Sequence, residues 1–170
     1  MGMPEALRLA YTWRMLETRA AVATDASLIA AHRRAMFVAM GRDRASVLDA
    51  MTRNFAPWVE RMIAEGKYAG WITLDAGRPI ASAGFLILDW PPHPLDPSSE
   101  YRGYLLNVFV EPEYRRRGLA HALVDRCLAE ARRRHIRVVA LHASAEGKPV
   151  YEAFGFRATS EMLYVEPAEG

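Results

Sequence analysis

In the run EPEYRRRGLA, residues 111–120, Arg115, Arg116 and Arg117 stand directly before Gly118, Leu119 and Ala120. An apolar run, Leu105–Val110, precedes it. An apolar stripe at helical spacing follows, through Leu119, Ala120, Leu123, Val124, Leu128 and Ala131. A strand that turns tightly into a helix leaves backbone N–H groups unpaired at the helix start, where they can converge on an anion. Gly118 removes a side chain where a phosphate would approach the main chain. Ala120 keeps the next turn narrow, and the arginines add charge and fork-shaped donors at the mouth. Such a turn suits a pyrophosphate better than a long polymer. Spacing alone also leaves a plainer reading open, with Gly118 an ordinary helix-start residue and the arginines solvated. Neither G-x-G-x-x-G nor G-x-x-x-x-G-K-[ST] is present, so neither a Rossmann dinucleotide site nor a P-loop is supported. A second cluster, Arg132–Arg134, falls at the far end of the same helix. There positive charge complements the terminal carbonyls and Glu130 can pair with Arg134 at i+4.

The elements that must position this turn are legible as periodicities. A strand is expected around Thr18–Ala23, then a helix from Asp25 to about Met40, capped by Asp25 or Thr24 and stopped at Gly41. A second helix runs from about Arg44 to Glu65, with Pro57 expected to bend or divide it. YAGWITLD, PIASAGFLILD and YLLNVFVE read as strands, the first two joined by a hairpin around Gly77. Between the second and third, the prolines of Pro91–Pro97 exclude regular structure, and the loop reads as a binding element or as merely mobile. After the arginine helix, RVVALHA reads as a strand, GKPVYEAF as a short helix and GFRATSEMLYVE as one or two closing strands. The expected order is β-α-α-β-β-β-α-β-α-β, an α/β fold with a mixed, mostly antiparallel central sheet and helices on both faces. Residues 1–14 read as an N-terminal extension and 15–170 as one domain.

Composition narrows the function classes. The chain of 170 residues is 51% hydrophobic and 25% charged, ordinary for a globular domain. Its net charge of +2 lacks the basic bias of a sequence-independent nucleic-acid binder, and no stripe of exposed aromatics lies beside the basic residues. Cys127, the single cysteine, excludes an internal disulfide framework and a cysteine-built zinc site and fits a reducing cytoplasm. No run is long and apolar enough to span a membrane, and the first residues lack a signal-peptide layout. His32, His93, His121, His135 and His142 show no metal-site spacing, and no G-x-S-x-G turn is present.

YLLNVFVEPEYRRRGLAHALVDRCLAEA resembles the acetyl-coenzyme A (acetyl-CoA) binding segment of the GCN5-related N-acetyltransferase (GNAT) superfamily, whose signature is Gln/Arg-x-x-Gly-x-Gly/Ala. Here it is Arg115-x-x-Gly118-x-Ala120. VYEAFGF, Val150–Phe156, resembles the family's Tyr-x-x-x-Gly-Phe element. The resemblance covers nearly everything from Thr18 onward. It implies that the backbone of Val108, Phe109 and Val110 holds the pantetheine arm as an added strand. Arg115, Arg116, Arg117, Gly118, Leu119 and Ala120 would then supply N–H groups to the pyrophosphate. It implies a sheet that splays beside that strand, with Asn107 either facing the cleft in a catalytic role or bridging two strands. Tyr151 is the candidate general acid. Aminolysis of a thioester expels a thiolate, and a phenol at the sulfur can donate a hydrogen bond or proton as the bond breaks. The other reading of Tyr151 is core packing beneath Phe154 and Phe156.

Two departures from the family pattern stand out. The strand lacks the glutamate that some relatives use as base, leaving Glu111, Glu100 or His93 acting through water, or none of them. Ser144 replaces an asparagine seven residues before the tyrosine, and is expected to donate to the cofactor with fewer bonds. The function implied is an acetyl-CoA-dependent N-acetyltransferase acting on a primary amine in a ternary complex, without metal. The alternative is a non-catalytic acyl-CoA-binding or regulatory module. The partners implied are acetyl-CoA and an unidentified amine, with no nucleic acid and no membrane, a homodimer left open, and a cytoplasmic location.

Overall fold

A computed structural model describes residues 16–42 and 44–166, so the expected extension 1–14 lies outside the described residues. Strand β1 (Leu16–Ala20) leads through a 3-10 turn (Ala23–Asp25) into helices α1 (Ala26–Ala39) and α2 (Ala45–Ala64). Strands β2 (Tyr68–Asp75), β3 (Arg78–Asp89) and β4 (Tyr101–Val110) follow. A 3-10 turn (Pro112–Tyr114), helix α3 (Leu119–Arg133), strand β5 (Val139–Ala140) and helix α4 (Lys148–Ala153) complete the order.

The sheet order is β1-β2-β3-β4-β5, antiparallel except for the parallel pair β4 and β5. β2 and β3 turn at Ala76 and Gly77, both at positive φ, as a two-residue hairpin of this twist requires. Helices cover both faces. α1 and α2 pack Ile29, Ala30, Phe55 and Val59 against Tyr68 and Leu86, whereas α3 packs Leu119, Leu123, Val124 and Cys127 against Ile80, Phe85 and Leu105. Asp25 starts the first helical segment by accepting the Val22 N–H and pairing with Arg19 at 2.7 Å. One helix runs through Pro57. The buried Phe55 and Val59 on either side hold both halves to the sheet.

Strand-interior glycines make room for rings. Gly70 and Gly84 face each other across β2 and β3, and Tyr68 lies over them: a Cβ on Gly84 would stand 2.0 Å from the Tyr68 hydroxyl. Gly103 accommodates Phe85 in the same way on the other face, with a would-be Cβ 2.5 Å from that ring.

The end of the chain departs from expectation. β5 is only two residues long, and residues 157–166 form no strand. Met162, Leu163, Tyr164 and Val165 are all exposed. A two-residue edge offers few ladder bonds to a further strand, so β-prone composition alone does not fold this segment.

His32 on α1 is a satisfied core histidine, its Nδ1 2.8 Å from Ser82 Oγ and its ring against Phe109. Burial pushes its pKa down from 6.5. Above about pH 6.5 the ring is neutral both folded and unfolded. As pH falls through that value the unfolded chain takes up the proton first, so stability is lost with falling pH. The loss of denaturation midpoint between about pH 7.5 and about pH 5.5 should therefore be smaller in His32→Asn than in the parent, and an equal loss in both would remove His32 from the acid response.

Candidate cofactor and acceptor site

β4 is not a regular strand. Ser82 pairs with Phe109 and Gly84 with Leu106, so Asn107 and Val108 together face Ala83 as a bulge. Asn107 takes a φ of 56°, a left-handed conformation that asparagine tolerates better than most residues. Both polar atoms of its buried amide are engaged: Nδ2 donates to the Tyr68 hydroxyl at 3.2 Å, and Oδ1 accepts from Arg33 Nη1 at 2.6 Å. Asn107 thus links β4 to Tyr68 on β2 and to Arg33 on α1.

Beside the bulge the sheet opens. β5 pairs with β4 only at Gly103 and Tyr104, and among the described residues no strand lies along that side of β4 from Leu105 to Val110. A bulge increases local twist and bends its strand, which accounts for the early divergence. The opening joins the face covered by α1 and α2 to the face covered by α3 and α4. At its mouth the Tyr104 hydroxyl is hydrogen-bonded to His142 Nδ1.

Beyond Val110 the chain makes the turn singled out in the sequence. Arg116 has a φ of 60° and Gly118 a φ of 78°, and a Cβ on Gly118 would meet nothing within 4 Å. The first helical bond of α3 is Ala122 N–H to Gly118 carbonyl. From Arg116 through His121 no backbone N–H has a partner among the described residues. Such a nest of donors at a helix N-terminus fits a pyrophosphate. The Arg115 N–H, which the resemblance also assigned to the pyrophosphate, donates to the Pro112 carbonyl at 3.3 Å. Arg115 Nε donates to the Val110 carbonyl at 3.1 Å, and Arg117 Nη2 to the Glu113 carbonyl at 2.9 Å, so both brace the turn. Arg116 has no side-chain partner among the described residues.

Leu119 is buried and Ala120 half-buried on α3; Phe109 and Val110 are buried and Val108 half-buried on β4. Tyr151 on α4 is half-buried, edge-on to Phe156 at 6.0 Å between ring centroids. Its hydroxyl engages no hydrogen bond among the described residues, and burial raises its pKa above the usual phenol value. The ring lies over Gly147, where a Cβ would stand 3.2 Å from Cε2. Ser144 Oγ accepts the Gly147 N–H at 3.1 Å and so starts α4, a local duty the sequence reading did not assign. Its hydroxyl proton stays free to donate outward. α4 is held to α3 by Phe154 against the His121 ring, 4.2 Å between centroids.

Cys127 is fully buried, its thiol pushed up to about 12 by burial, which makes it a poor nucleophile. Glu100 and His93 belong to the loop before β4, and Glu111 to the turn after it; a strand of this length separates its ends by about 30 Å. The loop lines its own hollow of about 480 Å³, with Trp90 beneath the Arg102 guanidinium at 3.9 Å. Trp58 packs on Phe55 and Trp71 against the α3 core. Among the described residues no cluster of three or more His, Cys, Asp or Glu side chains is placed to hold a metal.

Arg33, Tyr68 and Tyr104 were missed as a sequence-level group. The available signal was a charge on an apolar helix face: Arg33 follows the buried Ile29 and Ala30 at i+4 and i+3.

The sequence model of the acetyltransferase (GNAT) domain matches residues 39–166. No curated protein matches the chain. Among solved structures, a GCN5-related N-acetyltransferase from Ralstonia eutropha JMP134 is 40% identical with a TM-score of 0.84, covering 89% of this chain and 98% of that one. A protein described as a predicted acetyltransferase from Clostridium acetobutylicum, solved with acetyl-CoA, is 29% identical with a TM-score of 0.79, covering 89% and 96%. A glucosamine-6-phosphate N-acetyltransferase from Arabidopsis thaliana, 18% identical with a TM-score of 0.61 over 89% and 97% of the two chains, shares the fold.

Proposed function

The chain belongs to the GNAT acetyltransferase family, and on that premise we propose that it moves an acetyl group from acetyl-CoA directly onto a primary amine, of a small molecule or of a peptide or protein N-terminus, in a ternary complex. The observation that carries the reading is the coincidence of an unpartnered N–H nest, Arg116 to His121, with a strand edge left open by β5. The nest takes the pyrophosphate, Gly118 keeping side-chain bulk away from it. The open edge at Val108–Val110 takes the pantetheine arm as an added strand, main chain to main chain. The thioester then lies in the opening, where the two faces of the sheet meet.

Tyr151 is the general acid in this reading. The reference values of phenol and thiol differ by about 1.5 units, which corresponds to about 2 kcal/mol against complete proton transfer. Its hydroxyl therefore serves first as a hydrogen-bond donor to the sulfur, and the proton follows as the carbon–sulfur bond breaks. Asn107 holds the bulge and is a positioning residue. Ser144 is left its free hydroxyl proton for the cofactor.

Melting the protein with acetyl-CoA tests the reading. Saturation at about 100 times the dissociation constant adds about 2.7 kcal/mol of stability. No shift at about millimolar cofactor would sink the proposal. A shift without thiol release across a broad panel of amines would instead identify a non-catalytic acyl-CoA-binding module.

A further inference from the structure

The opening in the sheet has two sides, and the unpartnered N–H nest occupies one of them. On the other, α1 presents Arg33. This residue is on the helix face that also carries Ile29 and Ala30, both almost fully buried, and its guanidinium lies over the rings of Phe37 and Phe55 at 5.0 and 4.7 Å. Its one hydrogen bond, from Nη1, goes to a neutral acceptor, the Asn107 amide oxygen at the bulge. Its Nε is covered by protein and has no partner. Its Nη2 makes no hydrogen bond among the described residues either, and is not one of the covered atoms.

Other arginines of the fold pair with carboxylates: Arg19 with Asp25, Arg34 with Asp49, Arg78 with Glu113 and Arg134 with Glu130. Arg33 forms no ion pair among the described residues. Glu161 is near enough to act on Tyr104 but is not within ion-pair distance of Arg33. A guanidinium taken partly out of water without an anion is costly, and the aromatic faces offset only part of that cost. A ligand anion would offset the rest.

We propose that Arg33 is the recognition group for a carboxylate on the acceptor, so that the substrate is a compact amine that also carries a carboxylate, such as a free amino acid or an acidic peptide. This rests on the acetyl-transfer reading above. The open Nη2 meets the carboxylate end-on while Nη1 stays on Asn107. The charged end of the acceptor is thereby anchored beside the bulge, and its amine is directed into the opening between β4 and β5. Tyr104, on the same face, closes the site toward His142. Asn107 couples the two halves, because the same amide that shapes the bulge orients the guanidinium.

The experiment compares free amino acids and acidic dipeptides with their carboxamides, and with phosphate-bearing amines, by thiol release from acetyl-CoA. The full chain is used as parent, Arg33→Gln and Arg33→Lys. The acetyl-CoA melting shift is measured in all three. In the parent, the carboxylate form should have a KM lower than its carboxamide by about 10-fold or more, as expected for a charged hydrogen bond. Arg33→Gln should erase that gap by raising the KM of the acid, Arg33→Lys should restore part of it, and the melting shift should survive in both. Equal use of acids and carboxamides, a gap that persists in Arg33→Gln, exclusive use of phosphate-bearing amines, or no use and no added melting shift by any acid would each overturn the inference. Loss of the parent's acetyl-CoA shift would instead strike the acetyl-transfer reading, which separates the two failures.

Discussion

Tyr151→Phe should lower kcat for acetyl transfer by about 100-fold or more, the usual range for removing a positioned acid, while leaving the acetyl-CoA melting shift in place. The structure makes this an unusually clean substitution. The hydroxyl engages no hydrogen bond among the described residues, so its removal orphans no donor or acceptor there, and the ring keeps its contact with Phe156 and its place over Gly147. Folding stability should therefore change by no more than about 0.5 kcal/mol. Because burial raises the phenol's pKa, the hydroxyl stays protonated through neutral pH and is available as a donor wherever the assay is run. Single-turnover thiol release, with chemical denaturation as the control for folding, separates the outcomes. An unchanged rate would remove Tyr151 from the chemistry and leave it as packing for α4.

The second large effect is expected far from any substrate atom. Gly84→Ala places a methyl 2.0 Å from the Tyr68 hydroxyl and 2.4 Å from the ring carbon bearing it. A long side chain at a surface would swing aside, but Tyr68 is only 3% exposed and is locked beneath α1 and α2. Overpacking of this kind costs about 1–3 kcal/mol. In a domain of this size that corresponds to a fall in Tm of about 2–4 °C for each kcal/mol. The displaced hydroxyl also leaves Asn107 Nδ2 without its acceptor, so the bulge loses one of its two anchors. We expect kcat/KM to fall along with Tm, although the substitution touches neither cofactor nor acceptor. A variant with unchanged Tm would show that Tyr68 has room to move. One with lowered Tm but unchanged kcat/KM would uncouple the Tyr68–Asn107 contact from the site.

The arginine clusters show how far local sequence carries. The second cluster behaves as its position predicts: Glu130 holds Arg134 and Arg133, each at 2.6 Å, and its carboxyl is lowered to about 2, with the Arg133 hydrogen bond the foremost cause. Helix spacing alone dictates those pairs. In the first cluster Arg115 and Arg117 spend side-chain donors on the turn's own carbonyls, and the donors left without partners among the described residues are backbone N–H groups.

What the sequence determined by itself is local. The helical stripe of α3, the glycine that admits a left-handed turn, the hairpin at Gly77 and the Tyr-x-x-x-Gly-Phe helix each depend on neighbours a few residues apart, and the family resemblance follows from two such segments in order. Only the tertiary structure decided the rest. Asn107 meets Arg33 across 74 positions and Tyr68 across 39. Whether its amide faced a cleft or bridged elements depended on a register shift between β3 and β4 that no local pattern encodes. The same holds for the short β5 and the absent closing strand: β propensity nominates a segment, but a ladder forms only where a partner edge of sufficient length is presented. Arg33 is the clearest case. On a helical wheel it is one charge on an apolar face, and only the packing of α1 against the bulge places it beside the opening in the sheet, with no carboxylate partner among the described residues.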